Sequence, residues 1–159
     1  MRLLCDEMLG RLARWLRLLG HDVAYLQGLD DDALLAQAVA EARLLLTRDA
    51  ALAARAPPGQ ALLVRALEPE AQLAEVAQAL PGVVAEAAEL SRCSLDNALL
   101  APLPRAQAEG RVPPSVWATR DEYWACPACH RVYWRGTHAA RIAATLAALR
   151  EGRPPGRGP

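Results

Sequence analysis

Arg2-Leu3-Leu4-Cys5-Asp6-Glu7-Met8-Leu9-Gly10-Arg11-Leu12-Ala13-Arg14-Trp15-Leu16-Arg17-Leu18-Leu19-Gly20 reads as a strand followed by a helix. The apolar run Met1 to Cys5 is short and stops at the acids Asp6 and Glu7, which suits a buried strand ending at Asp6. From Met8 the period changes. Leu9, Leu12, Ala13, Leu16 and Leu19 recur at helical spacing, Arg11, Arg14 and Arg17 lie to another side, and Gly20 supplies a stop. The expectation is an amphipathic helix carrying an arginine ridge.

The same alternation continues downstream. Asp22-Val23-Ala24-Tyr25 is a second strand, and Asp30-Asp31-Asp32 caps a helix whose core face is Leu34, Leu35, Ala38, Val39 and Ala42. Leu44-Leu45-Leu46 forms a third strand stopping at Thr47-Arg48-Asp49, and a short Ala-rich helix runs to about Arg55. Pro57-Pro58-Gly59 turns the chain into a fourth strand, Ala61 to Val64. A helix with Leu73, Val76, Ala77 and Leu80 on one face closes at Pro81-Gly82. Strands alternating with helices imply an α/β fold: a parallel sheet with helices on both faces, three layers in all.

After Val84 the rhythm breaks. Cys93, the prolines 102, 104, 113 and 114, and the cluster Tyr123-Trp124-Ala125-Cys126-Pro127-Ala128-Cys129 mark a second module. The division expected is therefore 1–84 for the α/β domain, 85–150 for the cysteine module and 151–159 for a disordered Gly/Pro/Arg tail.

At 159 residues and 53% apolar content the chain has material for one core and an appendage. No signal peptide is legible, and no stretch approaches the ~20 uninterrupted apolar residues that span a bilayer, so a soluble cytoplasmic protein is expected. A formal net charge of zero gives no global pull toward nucleic acid, so any basic surface must be local. Four cysteines in such a chain point to metal or buried thiols before disulfides, and Cys5 reads as a buried thiol. Oligomeric state is not legible.

In an open parallel sheet, ligands bind beyond the carboxyl ends of the strands. Asp6 ends the first strand, Asp31 follows the second and Asp49 ends the third, so three carboxylates are expected at one edge. Crowded carboxylates either raise a pKa or recruit a cation, and oxygen ligands favour Mg²⁺ or Mn²⁺ over zinc. A metal so held supports in-line phosphoryl displacement. For Asp31 alone, helix capping is the stronger reading. Paired acids after one strand and an aspartate after the third also describe a phospho-receiver, but that site needs a lysine and the chain has none.

The opening string Asp6 to Gly20 resembles the start of the Mut-seven C-terminal RNase domain family, a PIN-like group. Leu45-Leu46-Thr47-Arg48-Asp49 and Tyr133-Trp134-Arg135-Gly136-Thr137-His138 are similar to its other two signatures, in the family's order. The resemblance spans Arg2 to about Ile142. It implies a PIN-like fold, metal-dependent hydrolysis of RNA phosphodiesters and a C-terminal zinc ribbon. It carries the acidic metal ligands onto Asp6 and Asp49, and onto Asp31 across three adjacent aspartates. Arg11, Arg14 and Arg48 beside those acids suit phosphate contacts, which position RNA without reading bases; solvation of the helix is an equal reading for Arg11 and Arg14. Trp15 reads as core packing.

Cys126-x-x-Cys129 is half of a zinc site. The family pattern places another CxxC followed by Asn upstream, where this chain has Cys93-Ser94-Leu95-Asp96-Asn97, so Asp96 stands in for a cysteine. Three outcomes stay open: Cys93, Asp96, Cys126 and Cys129 bind Zn²⁺; His130 or His138 substitutes; or the site is empty and Trp117, Tyr123, Trp124, Tyr133 and Trp134 hold the module. The function expected is a Mg²⁺- or Mn²⁺-dependent ribonuclease with RNA as its partner. The competing class is a non-catalytic RNA-binding or protein-interaction module.

Overall fold

A computed structural model describes residues 1–151, leaving aside the side chains at 137–139 and 141. The tail expected from 151 onward therefore lies, past Glu151, outside the described residues. Four parallel strands, β1 (Arg2–Cys5), β2 (Asp22–Tyr25), β3 (Leu44–Thr47) and β4 (Ala61–Leu63), form one sheet in the order β2-β1-β3-β4. Between and after them run α1 (Gly10–Leu18), α2 (Asp31–Ala40), α3 (Ala50–Arg55), α4 (Pro69–Ala79) and α5 (Gly82–Ala85).

Strand pleating sorts the side chains into two cores. Leu3, Cys5, Val23 and Leu46 pack against Leu9, against Leu12 and Leu16 of α1 and against Leu73 and Val76 of α4, whereas Leu4 and Leu45 face Leu34 and Ala38 of α2 and Leu52 of α3. Helices thus cover both faces of the sheet. Each buried leucine contributes about 1.5–3 kcal/mol relative to exposure, so these alternating faces fix the register.

The first helix begins differently from the expected continuous run. Asp6 caps a 3-10 turn, Glu7–Leu9, by accepting from the Met8 amide, and α1 proper starts at Gly10. A β-carbon at residue 10 would lie 2.8 Å from Tyr25 Oη, so a larger residue there would displace the ring of β2. At the other end the His21 amide donates to Leu16 O and the Gly20 amide to Arg17 O, the paired bonds of a Schellman stop. Gly20 has φ +91 and a side chain there would strike Ala88 O, so both backbone and space demand glycine.

Two expectations need correction. Arg17 is not on an exposed ridge: it is buried, because it lies beside Ala13 and Leu16 at the margin of the apolar stripe. Val39 is exposed and Ala42 lies beyond α2 at φ +49. Val39 sits about 140° around the helix from Leu34, outside its core stripe. The helix expected to close at Pro81-Gly82 does so, α4 ending at Ala79 with Leu80 as its C-cap, and the short α5 then starts at Gly82.

The remaining chain forms an antiparallel sheet of β5 (Ala101–Leu103), β6 (Tyr123–Ala125) and β7 (Val132–Tyr133), with α6 (Arg105–Ala108) and α7 (Pro114–Thr119) inserted. Pro102 is tolerated because β5 is an edge strand. Ala108, Val112, Tyr123 and Val132 form a third core, against which Trp117 and Trp134 pack. The last helix, α8 (Thr137–Arg150), returns to the first sheet and inserts Ile142 and Leu146 into the core beneath α4 and α5. Among the described residues no helix is long and apolar enough to cross a membrane.

Candidate functional site

The chain leaves β1 for β2 on one side and later crosses to β3 on the other, so the strand order reverses between β1 and β3. This is the switch point at which open α/β sheets bind ligands. Asp6 and Asp49 stand at the carboxyl ends of these two strands. Fully buried Thr47 links them: its hydroxyl donates to Asp6 Oδ2 and accepts from the Asp49 amide at 2.9 Å. Asp6 also accepts from the Arg48 amide at 3.0 Å and the Met8 amide at 2.9 Å. Asp49 is exposed; its Oδ1 caps α3 through Ala51 and Leu52, and its other oxygen accepts no hydrogen bond from the described residues.

Asp31 is not the cap. That role belongs to Asp30, which accepts from the Ala33 amide at 2.8 Å, because Asp30 alone has the extended backbone that precedes the first turn. Asp31 lies in that first turn, where its carboxylate meets Arg55 Nη1 at 3.0 Å while Arg55 also pairs with Asp32. Among the described residues, Asp6, Asp31 and Asp49 are not gathered into a set of ligand atoms mutually within 4.8 Å.

A set that tight does occur, 93–129, and it unites Cys93, Asp96, Cys126 and Cys129. Two loops of the same construction supply it. In the first, the amides of Leu95 and Asp96 donate to Cys93 Sγ at 3.4 Å, and Asn97 turns the chain at φ +66. In the second, the amides of Ala128 and Cys129 donate to Cys126 Sγ at 3.4 and 3.5 Å, and His130 turns it at φ +59. Amides aimed at sulfur favour the thiolate that a metal requires. Asp96 therefore occupies in the first loop the place Cys129 holds in the second. His130 serves as a corner and not as a substitute ligand; the side chain of His138 lies outside the described residues.

Distances fit a metal. Cys93 and Cys129 have their sulfurs 3.7 Å apart, and Cys126 Sγ lies 3.0 Å from Asp96 Oδ2. Two thiolates on a tetrahedral zinc at ~2.3 Å are about 3.8 Å apart. Hydrogen bonds tie the Asp96 carboxyl group to the thiols. Hydrogen bonds from Cys126 and Cys129 pull the Asp96 carboxyl below its ordinary value, and the bond to Asp96 pushes the Cys129 thiol up to about 12. Burial opposes ionisation of Cys93, but Tyr133 Oη at 3.0 Å and the Asp96 and Leu95 amides outweigh it and lower its pKa. All four cysteines of the chain are free, and burial holds the Cys5 thiol well above its usual range.

The use made of Arg17 is not legible from helical spacing. Its Nε donates to Val23 O at 2.9 Å, and Nη1 donates to Ser94 O and Leu95 O in the first cysteine loop. Asn97 reinforces this seam: it accepts from the Val23 amide and donates to Asp22. Arg11 and Arg14 are exposed and line a cavity of about 630 Å³ between α1 and the second sheet, away from Asp6 and Asp49. Trp15 packs partly on the core and partly lines that cavity. Arg48 follows Thr47 at the acidic edge, and its buried Nε has no hydrogen-bond partner among the described residues.

Fold and sites together define a mixed α/β protein with acids at the switch point of a parallel sheet and a three-cysteine, one-aspartate group able to hold a metal. The chain belongs to the Mut7-C RNAse domain family, whose model matches residues 1–146. No curated protein and no solved structure matches it.

Proposed function

We propose that this protein is a ribonuclease of PIN-like fold that hydrolyses RNA phosphodiester bonds with Mg²⁺ or Mn²⁺, its catalytic unit spanning 1–84 with α8 packed on it, and its zinc-ribbon-like module lying within 85–150. The observation that carries the proposal is the Asp6–Thr47–Asp49 linkage at the β1/β3 switch point, in a chain whose family is an RNase domain. The donor set suits a hard cation: oxygen throughout, with one Asp49 oxygen uncommitted. Asp6 and Asp49 would hold the ion, with Asp31 the third carboxylate. Such an ion supplies Lewis acidity toward the phosphoryl oxygens and generates a nucleophile from water. Thr47 ties the Asp6 carboxylate to the backbone of Asp49, Arg48 offers charge to a phosphate, and Arg11 and Arg14 extend the cationic surface along α1. A cytoplasmic setting suits four unpaired thiols.

The test is cleavage of single-stranded and hairpin RNA by the full chain, with Mn²⁺ or Mg²⁺ added and with both withheld. Cleavage that needs the ion is the expected result; no cleavage under any divalent condition would sink the proposal. A non-catalytic RNA-binding or protein-interaction module is the second reading. Its support is the ion pair that already engages Asp31 and the spread of the three carboxylates. Salt-sensitive RNA affinity without cleavage is its signature.

For the cysteine group we propose structural Zn²⁺ on Cys93, Asp96, Cys126 and Cys129. Asp96→Cys completes a four-thiolate site in a loop already built like its partner. Zinc affinity, read by competition with a chromophoric chelator, should rise about tenfold or more, since a thiolate suits this borderline-soft ion better than carboxylate. Unchanged affinity would remove Asp96 from the ligand set.

A further inference from the structure

The cavity between α1 and the second sheet belongs to neither the acidic edge nor the cysteine group. Trp15 of α1 and Tyr133 and Trp134 from the far wall line it, each half-buried and so offering ring surface to an occupant. Arg11 and Arg14 of α1 and Arg131 before β7 line it too, and none of these guanidiniums joins an ion pair or donates a side-chain hydrogen bond among the described residues. Glu68, Glu70 and Glu89 line it as well, with Glu89 paired to Arg135 at 3.6 Å. Unpaired arginines facing aromatic rings are the two halves of single-strand recognition: cations follow the phosphates and rings stack on unstacked bases. At about 630 Å³ the space accepts one or two nucleotides and excludes a duplex, whose bases are already stacked on one another.

We infer that this cavity is a binding site for unpaired nucleotides of single-stranded RNA, distinct from the site of bond cleavage. The inference deepens the ribonuclease reading and rests on RNA being the substrate, but not on catalysis. Tyr133 joins the cavity wall to the metal group, since its hydroxyl contacts Cys93 Sγ and accepts from the Ser94 amide at 3.1 Å.

The probe is a fluorescently labelled decauridylate, with a hairpin of equal length as comparison, titrated into the full chain carrying Asp49→Asn so that the RNA stays intact. Arg14→Gln with Arg131→Gln removes two exposed charges at no cost to the core. Decauridylate affinity should fall about tenfold and the salt dependence of log affinity should flatten by about 1.4, two phosphate contacts at ~0.7 each. Intrinsic tryptophan fluorescence should quench with the single strand and not with the hairpin. Unchanged affinity and slope in the double variant, equal binding of the hairpin, or no binding of decauridylate each overturn the inference. The failures are separable. RNA cleavage by a chain whose arginine variant binds normally defeats the cavity and leaves the nuclease; arginine-dependent binding without cleavage does the reverse.

Discussion

Asp49→Asn is expected to lower RNA cleavage about a thousandfold while leaving the melting temperature almost unchanged, because a bound cation is worth several kcal/mol of transition-state charge stabilisation. The substitution is unusually clean at this position. Asp49 Oδ1 accepts the Ala51 and Leu52 amides, and an asparagine oxygen does the same, so the cap on α3 survives. What disappears is the charge and the uncommitted oxygen. Asp6→Asn should abolish cleavage as fully but at a structural cost. Asp6 faces only donors, from Met8, Thr47 and Arg48, and an amide NH₂ set among them leaves at least one bond unmade. That mismatch costs about 1–3 kcal/mol. Asp31→Asn should have the smallest effect on the rate, since Arg55 already engages that carboxylate in the free protein. Turnover at saturating RNA and thermal melts of the three variants check the series. Asp49→Asn cleaving at the wild-type rate would remove Asp49 from the catalytic group, whatever Asp6 does.

The grading of the acids shows where sequence reasoning reaches and where it stops. Apolar runs ending in acids located β1 and β3, and with them the edge carrying Asp6 and Asp49, because a buried strand must be apolar until it emerges. Choosing among Asp30, Asp31 and Asp32 needed backbone angles, since each aspartate is chemically able to cap and a shift of one residue changes the role. The CxxC was legible, whereas Asp96 as the fourth position came only with the family resemblance. The matching amide-to-sulfur bonds of the two loops were not legible, because they depend on turns closed by Asn97 and His130 in a conformation few side chains adopt. Long-range partners were the least legible. By its place in the sequence the stretch of α8 groups with the cysteine module, and nothing local to it says that Ile142 and Leu146 bury against α4 and α5. Arg17 failed for a related reason: a residue beside an apolar stripe is buried or exposed according to what packs over it, and here the loop at 93–97 does.

Arg17→Met should therefore be the most destabilising single change among the arginines of α1, costing about 3 kcal/mol or more, with a fall of roughly 6–12 °C in melting temperature. Methionine keeps the stem's packing but deprives Val23, Ser94 and Leu95 of a charged donor, leaving part-buried carbonyls unpaired. A second loss follows from charge. Three thiolates and a carboxylate around a divalent ion leave a net negative centre, and Arg17 is the cation whose field reaches Cys93 and Asp96. Removing it should weaken zinc binding about 10–100-fold, the range typical of partners that support metal ligands. Arg17→Lys separates the two effects, because an ammonium restores the charge but not the forked geometry that reaches Val23 and the cysteine loop together. The lysine variant should recover most of the zinc affinity and little of the stability. Equal melting temperatures for Arg17 and Arg17→Met would mean that the seam between β2 and the cysteine loop is held by Asn97 alone.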